Sequence, residues 1–324
     1  MKILVCGGAG YIGSHMVKML HENAIEVITF DNLSSGHIEA VQWGEFVEGD
    51  LLNSNDLERL FRAHQFDAVM HFSAKSLVGE SVQDPEIYYQ NNVIGTLNLL
   101  AVMREYGVYN LVFSSTAAIF GNPVTDIINE SHPKHPINPY GRNKLMIEQI
   151  LQDYSQAYGF NSVCLRYFNA AGNDPEGQLG ESHQPETHLI PNILKAASGT
   201  GPALKVFGDD YDTEDGTCVR DYIHVADLAK AHLLAVEHLQ THGGASAFNL
   251  GNGQGFSVKQ VIESCQLISG QPIPYQVTPR RAGDPARLVA DSSLARKTLG
   301  WIPEFTDINP IIQSAWLWHQ NPLY

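Results

Sequence analysis

Short apolar runs alternate with amphipathic stretches through the first half of the chain. "KILVCGG", "EVITFD", "AVMHFSA", "NLVFSST" and "NSVCLRYFN" are apolar at successive positions and end on small or polar residues, as buried strands do. Between them, "YIGSHMVKMLHENA", "DLERLFRAHQ", "NNVIGTLNLLAVMREYG" and "NPYGRNKLMIEQILQDYSQAYG" repeat their apolar residues at helical spacing. Strands without a polar face must be covered on both sides, and the intervening helices supply that cover. The pattern therefore predicts an α/β fold built on a doubly wound parallel sheet. After Asn169 the texture changes. "AAGNDPEGQLGESHQPETHLIP" is rich in Gly, Pro, Glu and His, and later elements are short and separated by turn signals such as "GDDYDTEDGT", "SGQPIP" and "RRAGDPA".

This texture divides the chain into a nucleotide-binding domain over 1–168 and a smaller C-terminal α/β substrate lobe over 169–324. The segment 222–250, with helical "DYIHVADLAKAHLLAVEHL", is expected to return to the first domain. Ligands of such sheets bind beyond the carboxyl ends of the strands, where strand order reverses. The second lobe would close over that crevice.

Composition narrows the classes. The 324 residues suit about two domains, and 44% hydrophobic with 17% charged residues is ordinary for a protein with a packed core. A net charge of −15 argues against a nucleic-acid partner, which needs a basic face. Cys6, Cys164, Cys218 and Cys265 are widely spaced and form no CxxC, which points to free thiols in a reducing compartment. The apolar start is broken by glycines within a few residues, and no uncharged stretch reaches spanning length. No signal segment or membrane association is expected, and the cytoplasm is the expected location. Fourteen histidines include no HExxH and no Cys/His cluster with ligand spacing, so no metal is expected.

Two motifs carry chemistry. "GGAGYIG" places Gly7, Gly10 and Gly13 between the first strand and the first helix, and Gly8, Gly10 and Gly13 also satisfy GxGxxG. Glycines there allow a tight turn and close approach of a pyrophosphate to the helix N-terminus, as in a Rossmann-type fold. Asp31 ends the second strand, where a carboxylate suits a ribose 2′-hydroxyl and repels a 2′-phosphate, favouring NAD over NADP. Asp50, in "VEGDLLN", falls near the expected adenine, or else caps the helix that follows. The second motif is Tyr140-x-x-x-Lys144, one helical turn apart and so on one face. A phenol with an ordinary pKa near 10 needs a shift of roughly 3 units, about 4 kcal/mol, to serve as a base at neutrality. The Lys144 ammonium and a positive nicotinamide ring are the expected sources. The hydroxyls Ser114, Ser115 and Thr116 end the preceding strand.

Together "GGAGYIG", "SST", "NPYGRNK" and "LRYFN" resemble the extended short-chain dehydrogenase/reductase superfamily. "VGESVQDPEIYYQNNVIGT", "DDYDTEDGTCVRDYIHV" and "RRAGDPA" extend the likeness to its UDP-glucose 4-epimerase family over nearly the full length. The resemblance implies an isomerase in which Thr116, Tyr140 and Lys144 form the catalytic triad. Thr116 would relay the proton of the sugar O4 to Tyr140. The sugar would be oxidised at C4, turn over as a bound 4-keto species, and be reduced on its other face, with NAD tightly bound and not consumed. Implied cofactor contacts at the first turn and second strand are Gly7, Gly10, Tyr11, Ile12, Gly13, Asp31 and Asn32. Farther along they are Asp50, Leu51, Phe72, Ser73, Ala74, Asn92, Ser114, Tyr140, Lys144 and Tyr167. Implied contacts to the UDP-hexose are Thr116, Asn169, His188, Leu189, Phe207, Arg220, Tyr222, Arg281 and Asp284. Leu288 would line the sugar pocket and bear on whether N-acetylated sugars enter. A relative has Asn where His188 stands. Lys75 falls one position from a lysine of many relatives, with Ser76 at the matching place, so that role is not carried over. The resemblance also implies a homodimer through the helices near 85–106 and 139–158.

Three rivals remain at this point. A UDP-N-acetylhexosamine 4-epimerase would share every motif. A nucleotide-sugar 4,6-dehydratase needs an extra acid and base; the dehydratases that the chain also resembles place them directly after the active-site Thr, where this chain has Ala117 and Ala118. A non-catalytic NAD-binding protein would have no need of the Thr/Tyr/Lys set. Ser114 and Ser115 are expected to serve the backbone and the cofactor, leaving Thr116 for the sugar.

Overall fold

A computed structural model describes residues 1–281 and 284–324. The chain opens with β1 (Lys2–Cys6), α1 (Tyr11–Glu22), β2 (Glu26–Asp31), β3 (Glu45–Glu48), α2 (Ser54–Ala63) and β4 (Ala68–His71). A helical stretch follows, made of α3 (Val78–Gln83), α4 (Pro85–Tyr88), a π-helical turn (Tyr89–Ile94) and α5 (Gly95–Glu105). Then come β5 (Asn110–Thr116), the short β6 (Ile127–Ile128), α6 (Pro139–Tyr158) and β7 (Asn161–Tyr167).

The remainder runs β8 (Asn169–Ala171), α7 (Leu189–Ala197), β9 (Leu204–Phe207), β10 (Val219–Arg220), β11 (Tyr222–His224), α8 (Val225–Thr241) and β12 (Ala245–Leu250). It ends with β13 (Phe256–Ser257), α9 (Val258–Ser269), β14 (Tyr275–Thr278), β15 (Arg287–Ala290), α10 (Ser293–Leu299) and α11 (Ile308–Gln320).

Seven parallel strands form the main sheet in the order β12-β7-β5-β4-β1-β2-β3. The order reverses at β1, which lies between β2 and β4. Side chains alternate along each strand, so Ile3 and Val5 face one layer while Leu4 and Cys6 face the other. The first layer packs Met16, Leu20, Leu228, Val236 and Trp301 onto the sheet, from α1, α8 and the segment after α10. The second packs Leu57, Leu60, Leu99, Met103, Ile147 and Leu151, from α2, α5 and α6. Both faces are thus covered, as continuous apolar strands require. α8 and β12 belong to this unit although they follow the substrate-side elements in sequence.

β3 gave no apolar run because "EFVE" is an edge strand with both glutamates exposed. A third cluster, with Ile193, Leu194, Ile262, Ile311 and Ile312, holds α7, α9 and α11 together over the carboxyl end of the sheet. Asp221, fully buried between β10 and β11, ties this region together. Its carboxylate accepts N–H bonds from Asn252 (2.7 Å), Gly253 (3.0 Å) and Ala290 (3.1 Å). No helix among the described residues is long and apolar enough to cross a membrane.

Candidate active site

The first part of the site is the turn from β1 into α1. Gly7 has φ +81°, and a Cβ there would stand 2.5 Å from the Ser73 nitrogen; one at Gly13 would stand 2.0 Å from the Gly7 carbonyl oxygen. Both must be glycine for the strand and helix to meet. At Gly10 the nearest protein atom to such a Cβ is 3.4 Å away, so its open side is left to the cleft. Gly10 is also the N-cap of α1 and supplies no side-chain cap, so the first N–H groups of the helix point outward at its positive end. Asp31 stands beside them at the end of β2. Its carboxylate accepts from Ala9 N (3.0 Å) and Leu33 N (2.9 Å), and burial raises its pKa against the effect of those bonds. A capless helix start, an open glycine and a neighbouring carboxylate fit a dinucleotide's pyrophosphate and ribose hydroxyls. Asn32 donates to Asp50 (2.9 Å). Asp50 does not cap α2; Asn53 does, through an N–H bond from Asn55.

One cleft of about 1260 Å³ joins this turn to the second lobe. It is lined by Gly7, Gly10, Tyr11, Ile12, Gly13, Asp31, Asn32, Asp50, Leu51, Phe72, Ser73 and Ala74. Ser114, Thr116, Tyr140, Lys144 and Tyr167 continue the wall, and Asn169, His188, Leu189, Phe207, Arg220, Tyr222, Arg281 and Asp284 complete it. Two candidates are placed elsewhere. Asn92 is buried behind the lining, where its amide brackets Lys75 by accepting from Lys75 N (2.8 Å) and donating to Lys75 O (3.0 Å). Leu288 is not in the wall either; it packs on the apolar group of Ile119, Phe120 and Ile128.

Thr116, Tyr140 and Lys144 meet at the carboxyl end of β5. Thr116 caps a short 3₁₀ turn over Ala117–Ile119, accepting from Ala118 N at 3.1 Å. α6 begins with Pro139 at its first position and Asn138 as N-cap, accepting from Gly141 N at 2.8 Å. A Cβ at Gly141 would stand 2.5 Å from the Ala118 carbonyl, so that glycine lets the start of α6, and Tyr140 with it, close on the turn. One turn on, Lys144 donates to the Ser114 carbonyl (2.7 Å), with its Nζ 4.7 Å from the Phe113 ring centroid and 5.9 Å from that of Tyr140.

Burial dominates the protonation of both groups. It pushes the Tyr140 phenol up to about 12, with the Thr116 hydroxyl pulling the other way. It lowers the Lys144 ammonium to about 7, against the pull of Cys164 and Glu148. The expected lowering of Tyr140 is thus absent in the chain alone, because desolvation outweighs the Thr116 hydrogen bond.

Alternation along β5 separates the hydroxyls. Ser114 bonds the Tyr167 hydroxyl on the cleft side. Ser115 faces the other way and donates to Glu148 (2.6 Å), which pairs with Arg166 through Nη2 at 2.6 Å and Nε at 2.9 Å. The expectation that Ser115 serves the cofactor is therefore corrected: its hydroxyl completes a buried ion pair.

On the substrate side Arg220 and Asp284 form an ion pair, and the Arg281 guanidinium lies 3.8 Å from the Phe207 ring centroid. Asn169 donates to the Asp221 carbonyl at 2.9 Å. His188 is the N-cap of α7 without a side-chain bond to the helix, and its ring instead meets Glu181. Lys75, Ser76, Glu181, His183 and Asn192 also line the cleft. Lys75 and Ser76 follow β4, and the position of "AKS" past a strand's carboxyl end was the available signal. Glu181 and His183 lie in a loop whose path the sequence does not reveal.

Comparison with known proteins agrees with this geometry. The NAD dependent epimerase/dehydratase family matches over residues 3–251. The UDP-glucose 4-epimerase of Halalkalibacterium halodurans is 54% identical over 321 residues, covering 99% of this chain and 96% of that protein. Among solved structures, UDP-glucose 4-epimerase from Brucella ovis in complex with NAD superposes with a TM-score of 0.95 at 50% identity, covering 97% of each chain. That from Bifidobacterium longum in complex with NAD⁺ and UDP gives a TM-score of 0.95 at 40% identity, covering 99% of each. With the glycine turn, the acid after β2 and the Thr/Tyr/Lys group in one cleft, and this likeness running end to end, the chain belongs to the NAD dependent epimerase/dehydratase family, among its UDP-glucose 4-epimerases.

Proposed function

We infer that the protein is an NAD-dependent UDP-hexose 4-epimerase that interconverts UDP-glucose and UDP-galactose with no net redox change. The observation that carries the reading is the meeting of Thr116, Tyr140 and Lys144 in the cleft that the glycine turn of α1 opens into. NAD, held by the glycine turn and Asp31, would supply hydride acceptance and return at the sugar C4 and a positive charge in the cleft. Tyr140 accepts the O4 proton through the Thr116 hydroxyl and later returns it. Moving the phenol from about 12 to neutrality takes about 7 kcal/mol. Lys144, itself lowered to about 7 by burial, stands with its Nζ 5.9 Å from the Tyr140 ring centroid. Lys144 therefore tunes Tyr140 only in part.

Arg220 and Arg281 suit the diphosphate, since guanidinium forks match its oxygens. Phe207 offers its ring to the uracil, and Tyr222, Asn169, Leu189 and Asp284 complete the nucleotide side, while the His188 ring is engaged by Glu181. Ala117 and Ala118 carry no titratable group, which disfavours a dehydratase. We further read the protein as a cytoplasmic homodimer; four free, buried cysteines support a reducing compartment.

The test incubates purified protein with UDP-galactose and, separately, UDP-N-acetylgalactosamine, and follows products by NMR. UDP-glucose should form from the first without accumulation of reduced cofactor. A deoxy-keto product, or turnover of the N-acetylated sugar alone, would overturn the assignment.

A further inference from the structure

The loop between β8 and α7 gathers Glu181, His183, Glu186 and His188 into one cluster on the wall of the cleft. Their donor atoms lie within 4.8 Å of one another. His183 Nδ1 stands 3.3 Å from Glu181 Oε1 and 3.7 Å from Glu186 Oε2, and His188 Nδ1 stands 3.8 Å from Glu186 Oε1. His188 Nδ1 bonds Glu181 Oε1 directly. We propose that these four side chains form a binding site for a divalent cation of the zinc type.

The spacing is the main argument. With bonds of about 2.0–2.2 Å, the donors of a tetrahedral zinc site stand about 3.3–3.6 Å apart. The two separations from His183 Nδ1, 3.3 Å to Glu181 Oε1 and 3.7 Å to Glu186 Oε2, fall within about a tenth of an ångström of that range. The His188–Glu181 hydrogen bond must open to admit an ion. His183 Nδ1 is buried and, although 3.3 Å from a carboxylate oxygen, makes no hydrogen bond. A nitrogen close to its neighbours but not aligned with any of them is what a shared central ligand would satisfy.

The donor chemistry agrees. Two imidazoles and two carboxylates suit zinc, and the carboxylates balance its charge.

The ligands are held before any ion arrives. Glu181 is fixed at its backbone, its N–H donating to Asn173 (2.8 Å) and its carbonyl accepting from Trp318 (3.2 Å). Glu186 Oε1 accepts from Thr187 N and His188 N, both at 2.8 Å, which leaves Oε2 turned to the cluster. The Tyr11 ring meets the His183 ring edge-on, with centroids 6.2 Å apart. An ion here would tie the loop to the start of α7. This departs from the expectation of no metal. The spacing E-x-H-x-x-E-x-H matches no familiar ligand motif, and only the folded loop brings the four together.

The test titrates chelator-treated holoprotein with Zn²⁺ in equilibrium dialysis and, in parallel, with Co²⁺ followed by visible absorption. One equivalent should bind, with the intense Co²⁺ bands of tetrahedral coordination. His183→Ala and Glu186→Gln should each weaken binding at least about tenfold, since even outer-shell partners of a metal contribute that much. His238→Ala/His242→Ala, which removes a stacked histidine pair on the far end of α8, should leave binding unchanged. Zinc affinity equal to the parent's in both loop variants, loss of binding in the α8 variant instead, or a weak octahedral Co²⁺ spectrum in the parent would overturn the site.

Discussion

Lys144 is buried and Tyr140 partly so, where their charged forms are disfavoured, so each begins far from its working state. The proposed base has to be made competent by what enters the cleft, and the reading of Tyr140 as base can be checked directly. Tyr140→Phe should lower turnover roughly 10²–10⁴-fold, the range for losing a general base, while UDP binding measured by calorimetry stays near the parent's. Turnover within a fewfold of the parent would remove Tyr140 from that role. Thr116 differs from Ser115 only by one position in β5, yet strand alternation sends one hydroxyl to the cleft and the other to the Glu148–Arg166 pair. Residue type made all three hydroxyls candidates. Orientation chose among them.

At the scale of elements, the site depends on how β10, β11 and β15 are joined beside the sheet. Asp221 carries that junction, with its Oδ2 alone accepting from Gly253 N and Ala290 N. Asp221→Asn presents an NH₂ to one set of these donors and strands buried N–H groups. The expected loss is about 2–4 kcal/mol of unfolding free energy near pH 8, read from urea denaturation. Burial also raises this carboxyl to about 6 from an ordinary 3.8. The folded state then holds the proton through a range in which the unfolded chain releases it. Its contribution to stability therefore declines as pH rises from 3.8 to 6, and the variant should lack that slope. Equal stability of parent and variant across this range would show that the junction does not rest on Asp221.

For the whole molecule, the π-helical turn, α5 and α6 lie side by side on one face of the first unit. Ile94, Met146 and Tyr158 are exposed on these elements, 39%, 38% and 47% respectively. This is where the proposed homodimer would form. Sedimentation at micromolar concentration should give a species of twice the chain mass, and Met146→Glu should shift it toward the monomer. A parent that sediments only as monomer would end that proposal.

Much of this was legible along the chain. Apolar runs without alternation specified a doubly wound sheet, because a strand buried on both faces has no other pattern available. The glycines of the first turn and the one-turn spacing of Tyr140 and Lys144 were equally local, since each follows from neighbouring residues. The placement of Asn92, Leu288 and Ser115 was not local. Each depends on which face a side chain shows and what lies opposite, and contacts from 17 residues away at Lys75 or 33 at Glu148 decide that. The edge strand β3 escaped for the opposite reason, as an exposed strand has little apolar signature to read. The cluster at Glu181, His183, Glu186 and His188 belongs wholly to tertiary structure. The four donors lie within eight residues, but a loop has no period, and the fold, with Glu181 anchored to Asn173 and Trp318, decides that they converge.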